Sequence, residues 1–116
     1  VDDLRGGAGI DTFAYRSVND SGIGDSQRDF ILDFEQGVDK ISLALIDADL
    51  STAGDQSFIF IGQSAFSATG FGQVRFFQIG TLTIIEIDRQ GDADLIPEME
   101  IKVSGNYTLS NFDLVL

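Results

Sequence analysis

The stretch Gly6-Gly7-Ala8-Gly9-Ile10-Asp11-Thr12-Phe13-Ala14 constrains this chain more than any other part of it. It fits a nine-residue pattern, G-G-x-G-x-D-x-U-x, in which U is a large apolar residue. Glycines at this density admit positive φ angles, so the backbone can turn tightly and aim its carbonyl oxygens inward. The aspartate adds a carboxylate. Calcium takes about six to eight oxygen ligands of these two kinds. Gly6, Gly7, Gly9 and Asp11 are therefore candidate metal ligands, through backbone or carboxylate oxygens. Phe13 is the residue that points into a core.

The pattern extends in both directions. Asp2-Asp3-Leu4-Arg5 fits the D-x-U-x tail of an earlier copy, nine residues before Asp11. Asp20 and Asp29 continue the same step downstream. The apolar positions run Leu4, Phe13, then Ile31, with a gap at Gly22. If two nonapeptides make one turn of a coil, residues 18 apart stack: Asp2 on Asp20, Asp11 on Asp29 and Gly6 on Gly24. A calcium ion between stacked loops would then use Asp2, Asp20 and Asp29 as well. The repeat decays after Phe13, because Tyr15 to Ile23 lacks the leading glycines. Aspartate is common in this chain, so part of the ladder has coincidence as its alternative. Asp33 and Asp39 are either ligands or caps of strand ends, with capping the simpler reading for Asp33.

Composition narrows the function. With 116 residues, 43% apolar, the chain is one domain with a packed core, or the end of a longer protein. Its net charge of −12 and pI of about 4.1 disfavour nucleic acid and anionic membranes, which require Lys and Arg. The same acidity suits a calcium binder, although an acidic solvated surface is the plainer account. There is no Cys and no His, which excludes His/Cys zinc sites and Ser-His-Asp or Cys-His catalysis within this chain. Without disulfides, metal is the remaining staple for a small secreted domain. No apolar run is long enough for a transmembrane helix, and no signal peptide is visible. The chain opens in mid-repeat, which suggests a piece of a larger protein.

After residue 26 the texture changes to short alternating or apolar runs. Phe30–Phe34, Lys40–Leu43, Phe58–Ile61, Gln73–Phe77, Thr81–Ile87 and Met99–Val103 read as strands. No segment keeps a helical period, so helices are confined to short pieces near 46–52, 64–67 and 109–112. The expected class is all-β: the end of a parallel β-roll (1–34) leading into a β-sandwich-like C-terminal domain (35–116). Phe58, Phe60, Phe66, Phe71, Phe76 and Phe77 read as core more readily than as an exposed binding strip. Glu35, Asp55, Glu86, Glu98 and Glu100 read as a solvated face.

The order of these pieces resembles the C-terminal domain of serralysin-type RTX exoproteins over nearly the whole chain. Asp29-Phe30-Ile31-Leu32-Asp33-Phe34 is similar to the family's D-x-I-x-D-F. Gly37-Val38-Asp39-Lys40-Ile41-Ser42-Leu43-Ala44 is similar to G-x-D-K-I-D-L-S, with Ser42 and Ala44 departing from it. Ala53-Gly54-Asp55-Gln56-Ser57-Phe58-Ile59-Phe60-Ile61-Gly62, Ala65-Phe66-Ser67 and Gly72-Gln73-Val74-Arg75-Phe76 follow in the family's order. The resemblance implies calcium as cofactor, with Gly6, Gly7, Gly9, Asp11 and the aspartates at 2, 20, 29 and 39 as its ligands. It also sets Asp88, Gln90, Asp92 and Asp94 where the family often carries an EF-hand-like loop. That stretch is a second, weaker calcium loop or, more simply, a polar β-turn. Phe112-Asp113-Leu114-Val115-Leu116 looks like the family's terminal signal for type I secretion; it also reads as a last strand.

Three functions are weighed from these features. The first is a non-catalytic calcium-binding module, expected to be a monomer, that supports type I secretion and calcium-triggered folding of a larger bacterial exoprotein. Its expected partners are the N-terminal remainder of that protein and the type I secretion machinery, and its destination is extracellular. The alternative is a carbohydrate- or surface-binding module of a secreted polysaccharide-active enzyme or adhesin. An enzyme built on paired carboxylates is the third, and no pair stands out among the acids; a secreted hydrolase such as a metalloprotease is compatible as the parent protein.

Overall fold

The computed structural model describes residues 2–24, 26–49, 53–54, 56–67, 71–89 and 96–116. Among these the architecture is all-β. Two short strands open it, β1 (Asp3–Leu4) and β2 (Thr12–Ala14), followed by β3 (Asp29–Ile31) and β4 (Lys40–Ser42). The later strands are β5 (Ile59–Phe60), β6 (Gln73–Ile79), β7 (Leu82–Asp88), β8 (Met99–Ser104) and β9 (Leu114–Val115). They form a six-stranded sheet, β1-β3-β8-β7-β6-β5, and a three-stranded sheet, β2-β4-β9.

The chain alternates between the sheets as it winds. β1 and β3 lie in one, β2 and β4 in the other, and all pairs are parallel. β8 continues the first column on β3, and β9 continues the second on β4, again in parallel. The last strand of the chain therefore belongs to the coil started by the glycine repeat. Between them, β6 and β7 form an antiparallel hairpin. Its two-residue loop, Gly80-Thr81, begins with Gly80 at φ 59°, which matches the twist of the flanking strands.

The turn of the coil is longer than the repeat predicts. Asp3 stands opposite Phe30 and Thr12 opposite Lys40, so stacked residues are 27 or 28 apart rather than 18. Asp2 therefore lies on Asp29 and Asp11 on Asp39; the expected stacking of Asp2 on Asp20 and Asp11 on Asp29 is not formed. The cause is residues 15–28. Having lost its glycine turn, this stretch leaves the coil through a 3-10 turn at Val18–Asp20. Ser17 and Asp20 close that turn with reciprocal side-chain to backbone bonds. The turn rejoins at β3 through bonds from Gln27 and Arg28 amides to the Gly24 carbonyl. A second capped 3-10 turn, Asn111–Asp113, occupies the position expected for a short helix near 109–112. Residues 64–67 are irregular, and residues 46–49 hold bends and a single bridging residue, Asp49, rather than a helix.

The core lies between the sheets. Phe13, Ile31, Ile41, Leu43, Val74, Phe76, Ile85, Ile101, Val103 and Leu114 pack in one cluster. Phe58 and Phe76 are buried, and Phe60 stacks on Phe76 with ring centroids 5.9 Å apart. Phe66 and Phe77 instead flank the Arg75 guanidinium, at 5.9 and 5.5 Å from their ring centres. Phe71 is exposed.

The expected solvated acidic face is not uniform. Glu35 is exposed, but Glu100 is buried and faces Glu86 directly across β7 and β8. Arg75 pairs with Glu86, and Arg28 lies 3.1 Å from Glu100, so these acids form an ion-paired ribbon. Burial raises the Glu86 pKa, and the hydrogen bond to Glu100 raises it further. A carboxyl held more tightly protonated in the folded state stabilises fully below its unfolded pKa. That contribution is lost as pH rises through the folded value. Glu86→Gln is therefore expected to flatten the decline of stability as pH rises above the ordinary glutamate value of 4.5. Urea titrations at several pH values measure it; parallel profiles for the two proteins would contradict the pairing.

Candidate metal centre

The Gly6–Asp11 loop joins β1 to β2. Gly7 and Gly9 take φ angles of 83° and 93°, the left-handed region in which side chains are disfavoured. Gly6 serves differently. A Cβ placed there would lie 2.5 Å from Asp11 Oδ2, so the backbone and this carboxylate are packed together. Asp11 Oδ2 is buried and has no hydrogen-bond partner. A buried carboxylate oxygen without a partner is costly, and a cation is the direct remedy. The loop therefore fits calcium: a hard oxygen is out of water, beside a backbone kept bare by glycine. Gly6, Gly7, Gly9 and Asp11 are the residues that would hold it.

The next turn of the coil fastens this loop. Asp33 Oδ1 and Oδ2 accept from the Gly6 and Gly7 amides, both at 2.9 Å. These bonds hold the Asp33 carboxyl below its usual range, aided by the charge of Arg5. Asp39 is buried; its Oδ1 accepts from the Asp11 amide at 3.0 Å and its Oδ2 from the Glu35 amide at 2.9 Å. Both aspartates thus make capping contacts. Their spacing from Gly6 and Asp11 is the 27–28 residue step of the coil, a step invisible while the turn is taken as 18.

The other three candidates meet elsewhere. Asp2, Asp20 and Asp29 line a cleft of about 270 Å³ with Leu4, Phe13, Ala14 and Tyr15. Asp29 Oδ1 accepts from the Asp2 amide at 2.8 Å, and Asp20 Oδ2 accepts from the Arg16 and Ser17 amides. Burial raises the Asp29 pKa. Tyr15 is 4% exposed, and its hydroxyl is buried beside the Asp29 carboxylate. Burial, followed by the charge of Asp29, raises its pKa. Tyr15 was not among the sequence candidates; the signal for it is the Phe13-Ala14-Tyr15 alternation, which turns its ring inward. Among the described residues no three acidic side chains converge tightly enough to enclose a bare ion.

The remaining candidates stand apart. Asp88 is buried at the end of β7, whereas Gln90, Asp92 and Asp94 lie outside the described residues. At the other end, Asp113 is buried and its Oδ2 accepts from the Ser110 amide at 2.9 Å and Gln36 Nε2 at 3.1 Å. Leu114 is in the core, Val115 pairs beside Ser42, Leu116 packs partly buried against the core, and Phe112 is 84% exposed. No described helix is long and apolar enough to cross a membrane.

The whole chain, residues 1–116, matches the family described as peptidase M10 serralysin C terminal. No curated protein matches it. Among solved structures, it is similar to the AlgE6R3 subunit of the Azotobacter vinelandii mannuronan C5-epimerase, with a TM-score of 0.54 and 25% identity. That likeness covers 97% of this chain and 56% of the epimerase subunit, a solution structure.

Proposed function

The chain belongs to the serralysin C-terminal family of peptidase M10 proteins, and from that premise we propose a non-catalytic calcium-binding module. It supports type I secretion and calcium-triggered folding of a larger bacterial exoprotein. The observation that carries this reading is Asp11 Oδ2, buried without a partner against the bare backbone of Gly6. With calcium scarce, as in cytosol, the loops of a chain at −12 repel one another, and the folded coil is disfavoured. Where calcium is abundant it binds the folded loop alone and shifts the equilibrium toward it. The segment from Phe112 to Leu116 would be read by the secretion machinery while unfolded and would afterwards pack as β9. The N-terminal remainder of the exoprotein is its covalent partner, and extracellular space is its destination.

Calorimetric calcium titration of the wild type, Gly6→Ala and Asp11→Asn tests the module. Both variants are expected to weaken binding about tenfold or more, the scale at which support of a metal site is lost. Gly6→Ala should do so because its methyl group would displace the Asp11 carboxylate. Unchanged titrations for both would end the reading.

A second reading, a carbohydrate- or surface-binding module, is favoured by Arg75 set between Phe66 and Phe77 beside Glu86. It is also supported by the likeness to a subunit of a mannuronan-modifying enzyme. Retention on immobilised polysaccharide, lost in Arg75→Ala, would establish it; elution at the void volume would remove it.

A further inference from the structure

We propose that residues 16–24 form a strap that lifts from the six-stranded sheet as one unit, with Glu100 of β8 as its clasp. The device needs no metal and stands apart from the Gly6–Asp11 loop. It is built where the chain has lost its glycine turn and runs instead through the 3-10 turn at Val18–Asp20.

The strap is organised within itself. Ser17 Oγ accepts from the Asn19 amide at 3.1 Å, and Asp20 Oδ2 accepts from the Arg16 and Ser17 amides at 2.9 and 3.1 Å. Gly24, at φ 85°, turns the chain back toward β3, and the Gly22 amide donates to the Gln27 carbonyl at 3.0 Å. These bonds reach no strand, so lifting the strap leaves them intact.

Its ties to the sheet converge on one residue. Ser21 Oγ donates to the Glu100 carbonyl. The Gly24 amide donates to Glu100 Oε1 at 2.9 Å, and Arg28 Nη1, just before β3, donates to the same oxygen at 3.1 Å. Ser21 is buried, and its Oγ also accepts from the Asp29 amide at 2.8 Å. Release from Glu100 therefore frees Ser21 and Gly24 together and takes away the partner of the Asp29 amide. Apolar packing adds little: Val18 lies partly buried against the core, and Ile23 is exposed. A segment with few buried apolar contacts opens at a free energy below that of global unfolding.

What the strap covers gives the motion a consequence. Asp20 forms part of the wall of the cleft of about 270 Å³ that Phe13 and Tyr15 also line. Lifting the strap removes that wall and uncovers the buried Tyr15 ring. The corner between β2 and β3 is thus a gate to the core.

Hydrogen exchange of single amides in the full chain, followed by NMR through low denaturant concentrations, tests the gate. The Gly24 and Asp29 amides are expected to share one opening constant that depends weakly on denaturant, because little surface is exposed. Amides of β7, inside the six-stranded sheet, should exchange more slowly and depend on it strongly. Glu100→Ala should raise the opening constant about tenfold or more, the scale for losing a hydrogen bond to a charged group. Ser21→Ala leaves the bond from Gly24 to Glu100 Oε1 in place, yet it should speed the Gly24 amide along with that of Asp29. Exchange of Gly24 and Asp29 at the rate and denaturant slope of β7 overturns the gate. So does a Gly24 amide untouched by Ser21→Ala, or an opening constant unchanged in Glu100→Ala.

Discussion

Millimolar calcium is expected to raise the melting temperature of this chain by about 10 °C or more, and a chelator to reverse the shift. The size follows from mass action. A ligand present at 100 times its Kd, and bound only by the folded state, adds about 2.7 kcal/mol per site. For a domain of this length, 1 kcal/mol corresponds to roughly 4 °C at the midpoint. The buried unpartnered oxygen of Asp11 makes the ion-free loop costly, so part of the shift is relief of a penalty. Far-UV dichroism followed with temperature, in calcium and in chelator, makes the measurement. Superimposable curves would show that the coil holds its acids together without metal.

Ile41→Ala should destabilise the calcium-loaded protein by about 2–5 kcal/mol, the range for emptying a fully buried aliphatic site. Ile41 is wholly buried on β4, with Phe13 of β2 on one side and Leu114 of β9 on the other. Removing its branched chain opens a cavity at the junction of the glycine repeat and the C-terminal strand. Ile41→Val should cost only about 0.5–1.5 kcal/mol, since most of the volume is kept. Denaturant titration distinguishes the two, with the midpoint falling and the slope unchanged. A loss below about 1 kcal/mol in the alanine variant would mean that β2, β4 and β9 do not share one core.

What could be read in advance depended on whether the signal was local. The strands at 73–79 and 82–88 were legible because alternation and β-branched residues run for seven positions in each. The Gly6–Asp11 loop was legible because its glycines and acid are consecutive. Asp29 kept its phase, since a separation of 27 is still a multiple of nine. The number of repeats in a turn was not legible, because the missing glycines of Tyr15 to Ile23 show that the repeat decays but not that the stretch leaves the coil and rejoins it at Asp29. Glu86 and Glu100 were misjudged for the same reason: their spacing suggests two surface acids, and only the register of β7 and β8 sets them face to face. The roles of Asp33 and Asp39 as fasteners depend likewise on a turn length set by tertiary structure.

The parallel columns β1-β3-β8 and β2-β4-β9 also impose an order on folding in time. Ile31 on β3 finds its neighbour Val103 on β8, and Ile41 on β4 waits for Leu114 at the extreme end of the chain. Loops this long must close before their contacts reward them, so such pairings are slow and come late. Leu114 and Val115 thus act as a latch on the second column, which is complete only when they reach Ile41 and Ser42.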